Sequence, residues 1–100
     1  MAQKFSDIIK NHKPVLVDFY ADWCGPCKTM KPILEQVKQK VGEEATILKI
    51  DVDRNKAVAQ TYNITGIPTL IIFQDGVIKW RQSGVVPASQ LIQQLNNFKS

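Results

Sequence analysis

The sequence predicts one α/β domain, residues 1–100, built on a small mixed sheet with helices on both faces. Three observations carry that expectation. Apolar runs of strand length alternate with segments whose apolar residues recur at steps of three and four, in the order helix, strand, helix, strand, helix, strand, strand, helix. Strands separated by helices need crossovers and run parallel, whereas the last two flank Asp75-Gly76, a hairpin turn signal, and run antiparallel. A chain of 100 residues with 44% hydrophobic content suits one domain around one core.

Each element has its own signal. Phe5, Ile8 and Ile9 have helical spacing and predict a short amphipathic helix ending near Lys13-Pro14. Val15 to Tyr20 is a β-branched and aromatic run interrupted only by Asp18, as in a strand buried on both faces. From Cys24 the period changes. Met30, Ile33, Leu34, Val37 and Val41 form the stripe of an amphipathic helix that Gly42 ends, with Pro32 inside it as an expected kink. Ala45 to Val52 reads as a strand and Asn55 to Tyr62 as a short helix. Thr69 to Phe73 and Val77 to Gln82 flank the turn Gln74-Asp75-Gly76. Pro87, suited to a first helical position, opens a last helix with Leu91, Ile92, Leu95 and Phe98 on one face. Met30 fills the core, Pro32 shapes its helix, and Trp80 belongs to packing or to an exposed strand face.

The net charge of +4 is modest, and its lysines are interleaved with acids; Lys28 with Lys31, and Lys38 with Lys40, read as solvated helix faces. No run of five like charges and no basic stretch interleaved with aromatics marks a nucleic-acid groove. Residues 1–13 hold no apolar segment of signal-peptide length, and nothing later approaches a membrane span. These features lead us to expect a soluble cytoplasmic chain with no nucleic-acid or membrane partner, although an exported protein without its leader would read the same. Nothing in the sequence demands more than a monomer.

The two cysteines stand in Trp23-Cys24-Gly25-Pro26-Cys27. A pair at that spacing can close a small disulfide, share a metal or shuttle electrons. A bridge around about four residues constrains the unfolded chain by only roughly 2 kcal/mol, and a domain of this size does not need it. A structural zinc needs four ligands where this chain offers two cysteines and His12. Covalent haem needs histidine after Cys27, where Lys28 stands. No metal and no cofactor are therefore expected.

The motifs Val17-Asp18-Phe19, Trp23 through Lys28, Pro32, Leu48-Lys49-Ile50-Asp51, Tyr62-Asn63-Ile64, Gly66-Ile67-Pro68-Thr69, Asp75-Gly76 and Gly84 span nearly the whole chain. In that order and spacing the sequence resembles the thioredoxin family. A bare C-x-x-C is weak; joined to Ile-Pro-Thr it is specific. The resemblance implies a thioredoxin-like fold and reduction of disulfide-containing proteins. It also implies a separate thioredoxin reductase, NADPH- or ferredoxin-dependent, since no glycine-rich nucleotide motif is present. Two departures stand out. The residues before the first helix are too few for the extra edge strand common in thioredoxins, so four strands are expected. Tyr20 replaces a frequent tryptophan, which implies a packing difference.

Cys24 is expected where a strand gives way to a helix, at amide N–H groups and the positive helix end that favour a thiolate, as is known for thioredoxins. Cys27, nearly one turn on, is expected to point inward beneath an exposed Cys24. Access then makes Cys24 the nucleophile and Cys27 the resolving cysteine. Asp18, an acid in a buried strand, is the candidate base for Cys27, with its pKa raised by burial. Thioredoxins carry a buried acid there, which implies proton transfer through water. Lys49 is its candidate charge partner, or a snorkelling surface lysine. The resemblance also makes Ile67-Pro68 cis, against the base rate for such bonds. It places Pro68 against the cysteines, where it tunes the site with Gly25 and Pro26, and leaves Ile67 able to pair with an extended substrate strand. Trp23, Gly25, Pro26, Gly66, Ile67, Gly84 and Val85 would form a flat apolar docking rim. Two rivals share the fold: a disulfide oxidant or isomerase, which commonly carries histidine between its cysteines, and a non-catalytic docking subunit.

Overall fold

β-Branched and aromatic side chains on both sides of the backbone make Val15–Tyr20, strand β1, the centre of a four-stranded sheet in the computed structural model, which describes residues 4–99. The sheet order is β2 (Thr46–Asp51), β1, β3 (Thr69–Gln74), β4 (Val77–Ser83). β1 runs parallel to β2 and antiparallel to β3, and β3–β4 is an antiparallel hairpin. The mixed four-stranded sheet is the one anticipated.

Period-two alternation divides the interior between the two faces. On one face Leu16, Leu70 and Ile72 meet Met30, Leu34 and Val37 of helix α2 (Gly25–Val41), and Leu91 and Leu95 of helix α4 (Ala88–Asn97). On the other, Val15, Val17, Phe19, Ile71 and Phe73 are covered by Phe5 and Ile8 of helix α1 (Phe5–Ile8), Ile9 after it, Val58 of helix α3 (Lys56–Thr61), and Tyr62. Asp18 shares its parity with Leu16, so it lies on the face that α2 covers. Trp80 is half-buried against the α2–α4 core.

The first and last helices differ from expectation at one boundary each. The first helix stops at Ile8, well short of Pro14. Its following backbone is taken up by the β3–β4 turn: the Ile9 carbonyl accepts from Gly76 N–H, Asn11 from Asp75 N–H, and His12 from the Gln74 amide. Pro87 stands before the last helix, in extended backbone with ψ 150°, and Ala88 is its first residue. Cys24 stands immediately before α2, at the expected passage from strand to helix, and the helix continues through Pro32 to Val41. The Asp75-Gly76 turn has positive φ at both residues, 54° and 80°, the geometry that favours this dipeptide in a two-residue hairpin loop.

Candidate active site

Cys24 is the N-cap of α2, with φ −90° and ψ 114°, and Pro26 sits in the first turn, where its missing N–H leaves no helical bond unmade. That start brings the Cys27 amide N–H to 3.2 Å from Cys24 Sγ, to which it donates. The two sulfurs are joined as a disulfide, with Cα atoms 5.3 Å apart. Cys24 Sγ also lies 3.8 Å from the Ile67 carbonyl oxygen. Ala21, Tyr20, Val52 and Ile67 pack around the pair. The expectation of an exposed Cys24 above a buried Cys27 is corrected here: both residues are 4% exposed. Spacing sets the direction of each side chain, but Ile67 arrives from a distant loop and covers Cys24. The asymmetry is one of hydrogen bonding, since an amide N–H points at the sulfur of Cys24. A cavity of about 30 Å³, the size of a water, touches Cys27 between Tyr20, Ala21, Asp22, Lys28 and Lys31.

Asp18 is 2% exposed, and its Oδ1 finds no hydrogen-bond partner. Burial pushes its pKa up to about 6, and the charge of Lys49 pulls in the opposite direction. Lys49 is its register neighbour on β2 but is exposed, and none of the ion pairs among the described residues joins the two. The lysine therefore acts on the carboxylate through space while keeping its ammonium in water.

The Ile67-Pro68 bond is cis, and Pro68 is buried, while Gly66 is exposed and Ile67 half-buried. The Pro68 carbonyl accepts from Gly84 N–H at 2.8 Å. Gly84 has φ 93°, a conformation side chains rarely adopt, and this turn brings exposed Val85 beside the segment. Gly25 and Pro26 are exposed on the first turn of α2. Trp23 is 71% exposed, and its indole N–H donates to Asp53 Oδ2 at 2.8 Å. Of the residues expected at the rim, Ile67 packs on the cysteine pair, Trp23 adjoins Cys24 in the chain, and Gly84 is tied to Pro68, the residue after Ile67.

The thioredoxin family model matches residues 1–97. A thioredoxin-like protein of Synechocystis is 52% identical over 86 residues, covering 86% of this chain and 82% of its own. The chain belongs to the thioredoxin family. Thioredoxin Y, chloroplastic, of Oryza sativa subsp. japonica is 49% identical over 88 residues, 88% of this chain; the match spans only 52% of the rice protein's length. A mutant thioredoxin from Halobacterium salinarum superposes with a TM-score of 0.87 at 35% identity, over 99% of this chain and 87% of that one. The sheet and helices match this thioredoxin fold.

A thioredoxin chain with neighbouring cysteines at disulfide distance is equipped for thiol–disulfide exchange: its dithiol gives up two electrons and its disulfide accepts them. Asp53 escaped the sequence reading, because an acid just beyond β2 carries no signal of a bond to Trp23, thirty residues earlier. It fixes the edge of the indole on an otherwise open surface. For Asp53→Ala we expect KM for a protein disulfide to rise roughly two- to fivefold with kcat unchanged, the scale of one exposed charge-assisted hydrogen bond. Steady-state reduction of insulin checks this, and an unchanged KM would show that the Asp53–Trp23 bond plays no part in meeting a substrate.

Proposed function

We propose that this domain reduces disulfides in partner proteins. The observation that carries the reading is the Cys27 N–H directed at Cys24 Sγ at the head of α2, beside exposed Trp23. In the reduced form, Cys24 thiolate is the species that this N–H and the helix end stabilise, so Cys24 is the nucleophile. It attacks one sulfur of the target disulfide. A mixed disulfide forms, and the other target sulfur leaves as a thiolate that takes a proton. Cys27, deprotonated by Asp18 through a bridging water, then attacks Cys24 Sγ. The second target sulfur is released, and two electrons have passed from the dithiol to the target as the Cys24–Cys27 bond closes. Lys49 favours the ionised form of Asp18, the form that accepts the proton from Cys27.

Ile67 offers its backbone to an extended target segment, and Trp23, Gly25, Pro26, Gly66, Gly84 and Val85 supply the surface around it. Pro68, Gly25 and Pro26 shape the loops that hold the sulfurs. Thioredoxins work with disulfide-containing targets and with reductases. Here the electrons come from a separate thioredoxin reductase, drawing on NADPH or ferredoxin.

Reduction of insulin by dithiothreitol in the presence of the domain, with the equilibrium potential of the cysteine couple measured against glutathione, tests the reading. Turnover with a potential below that of the glutathione pool is expected. A potential well above it would mark an oxidant or isomerase, and no turnover would mark a docking module.

A further inference from the structure

Four carbonyls in the segment from Tyr62 to Pro68 are tied back to β4, to Gly84 just after it, or to the hydroxyl that faces the strand. Arg81 donates from Nη1 to the Tyr62 carbonyl and from Nη2 to the Asn63 carbonyl, the second at 2.9 Å. Two residues on, and so on the same face of the strand, the Ser83 hydroxyl lies 3.0 Å from that of Thr69, which donates to the Gly66 carbonyl. Gly84 N–H holds the Pro68 carbonyl. Tyr62 caps the C-terminus of α3, so the guanidinium meets the negative end of that helix. Asn63 has φ 53°, a left-handed conformation that needs local support in a residue other than glycine. At the far end of this segment the Ile67 carbonyl stands 3.8 Å from Cys24 Sγ.

We infer that Arg81 is a positioning residue for disulfide exchange: its fork fixes the loop from Tyr62 to Ile67, and with it the place of Ile67 beside Cys24. It touches neither sulfur. Its effect falls on the surface that an extended protein substrate must meet, while the sulfur chemistry is left as it was. Two parallel N–H groups aimed at consecutive carbonyls are a geometry that lysine cannot reproduce. The inference rests on the disulfide-reductase reading above.

Arg81→Gln, Arg81→Lys and Lys79→Gln test it, the last being a charge control two residues earlier on β4. Three readouts are needed: kcat and KM for insulin with dithiothreitol, the rate with a small aromatic disulfide, and hydrogen exchange at the Ile64 amide, which bonds Ala59 within the held segment. Arg81→Gln is expected to raise KM for insulin about tenfold, the effect of a charge-assisted hydrogen-bond pair reduced by its exposure to water. Its kcat and its rate with the small disulfide should stay within about twofold, and Ile64 exchange should quicken about tenfold. Arg81→Lys should recover less than half of the loss, and Lys79→Gln should match the parent. An unchanged KM in Arg81→Gln, a parallel loss with both disulfides, or full rescue by lysine would overturn the inference. If the parent reduces neither disulfide, it is the reductase reading that fails. Ile64 exchange then still decides whether Arg81 holds the loop, and parental exchange in Arg81→Gln would refute that too.

Discussion

Cys27→Ser is expected to accumulate covalent mixed disulfides with its protein substrates, and Cys24→Ser to lose roughly a thousandfold or more in disulfide reduction with nothing trapped. The contrast follows from one hydrogen bond and one position. Cys24 precedes the first turn of α2, with the Cys27 N–H on its sulfur, so a thiolate is favoured there. Without Cys27 that thiolate still attacks, but no internal sulfur can resolve the product. Non-reducing electrophoresis after exposure to an oxidised substrate, followed by release with dithiothreitol, gives the answer. Trapping by Cys24→Ser instead would reverse the two roles, and normal turnover by Cys27→Ser would remove the resolving step.

The second large effect concerns the buried acid. Asp18 has a pKa raised from 3.8 to about 6, chiefly by burial, so the folded protein binds its proton more tightly than the unfolded chain does. The stability that protonated Asp18 supplies is fully present below about pH 4 and is lost as pH rises through about 6. Above that, ionising the group in place costs about 3 kcal/mol, a shift of roughly two units at 1.36 kcal/mol each. Asp18→Asn should therefore be more stable than the parent by up to about 3 kcal/mol at pH 8 and about equal to it at pH 4. Urea unfolding of the disulfide form at both pH values measures this. The same substitution should slow reduction and flatten its rise between pH 5 and 7, since the base for Cys27 is gone. A stability difference independent of pH would show that folding does not raise the Asp18 pKa, and an unchanged pH–rate profile would remove it as the base.

These effects differ in how far they could be read from the chain. The strands were legible because β1 and β3 are apolar on both faces, and Asp75-Gly76 names its own turn. Asp18 stood out as an acid inside such a run, and Pro68 through its neighbours Ile67 and Thr69. What stayed hidden depends on contacts between distant parts of the chain. The end of α1 is set by the β3–β4 turn, which takes the carbonyls of Ile9 and Asn11. The burial of Cys24 is set by Ile67, forty-three residues away. Asp53 and Arg81 are exposed charged residues with no pattern around them, and an unstructured chain gives no reason to pair one with an indole or the other with two carbonyls.

Fully reduced protein, treated with a limiting amount of iodoacetamide between pH 6 and 8 and mapped by mass spectrometry, asks directly where the reactive sulfur lies. Alkylation at Cys24 many-fold ahead of Cys27 across that range is the expected result. Equal labelling of the two, or labelling that begins at Cys27, would contradict the assignment of the thiolate to the head of α2.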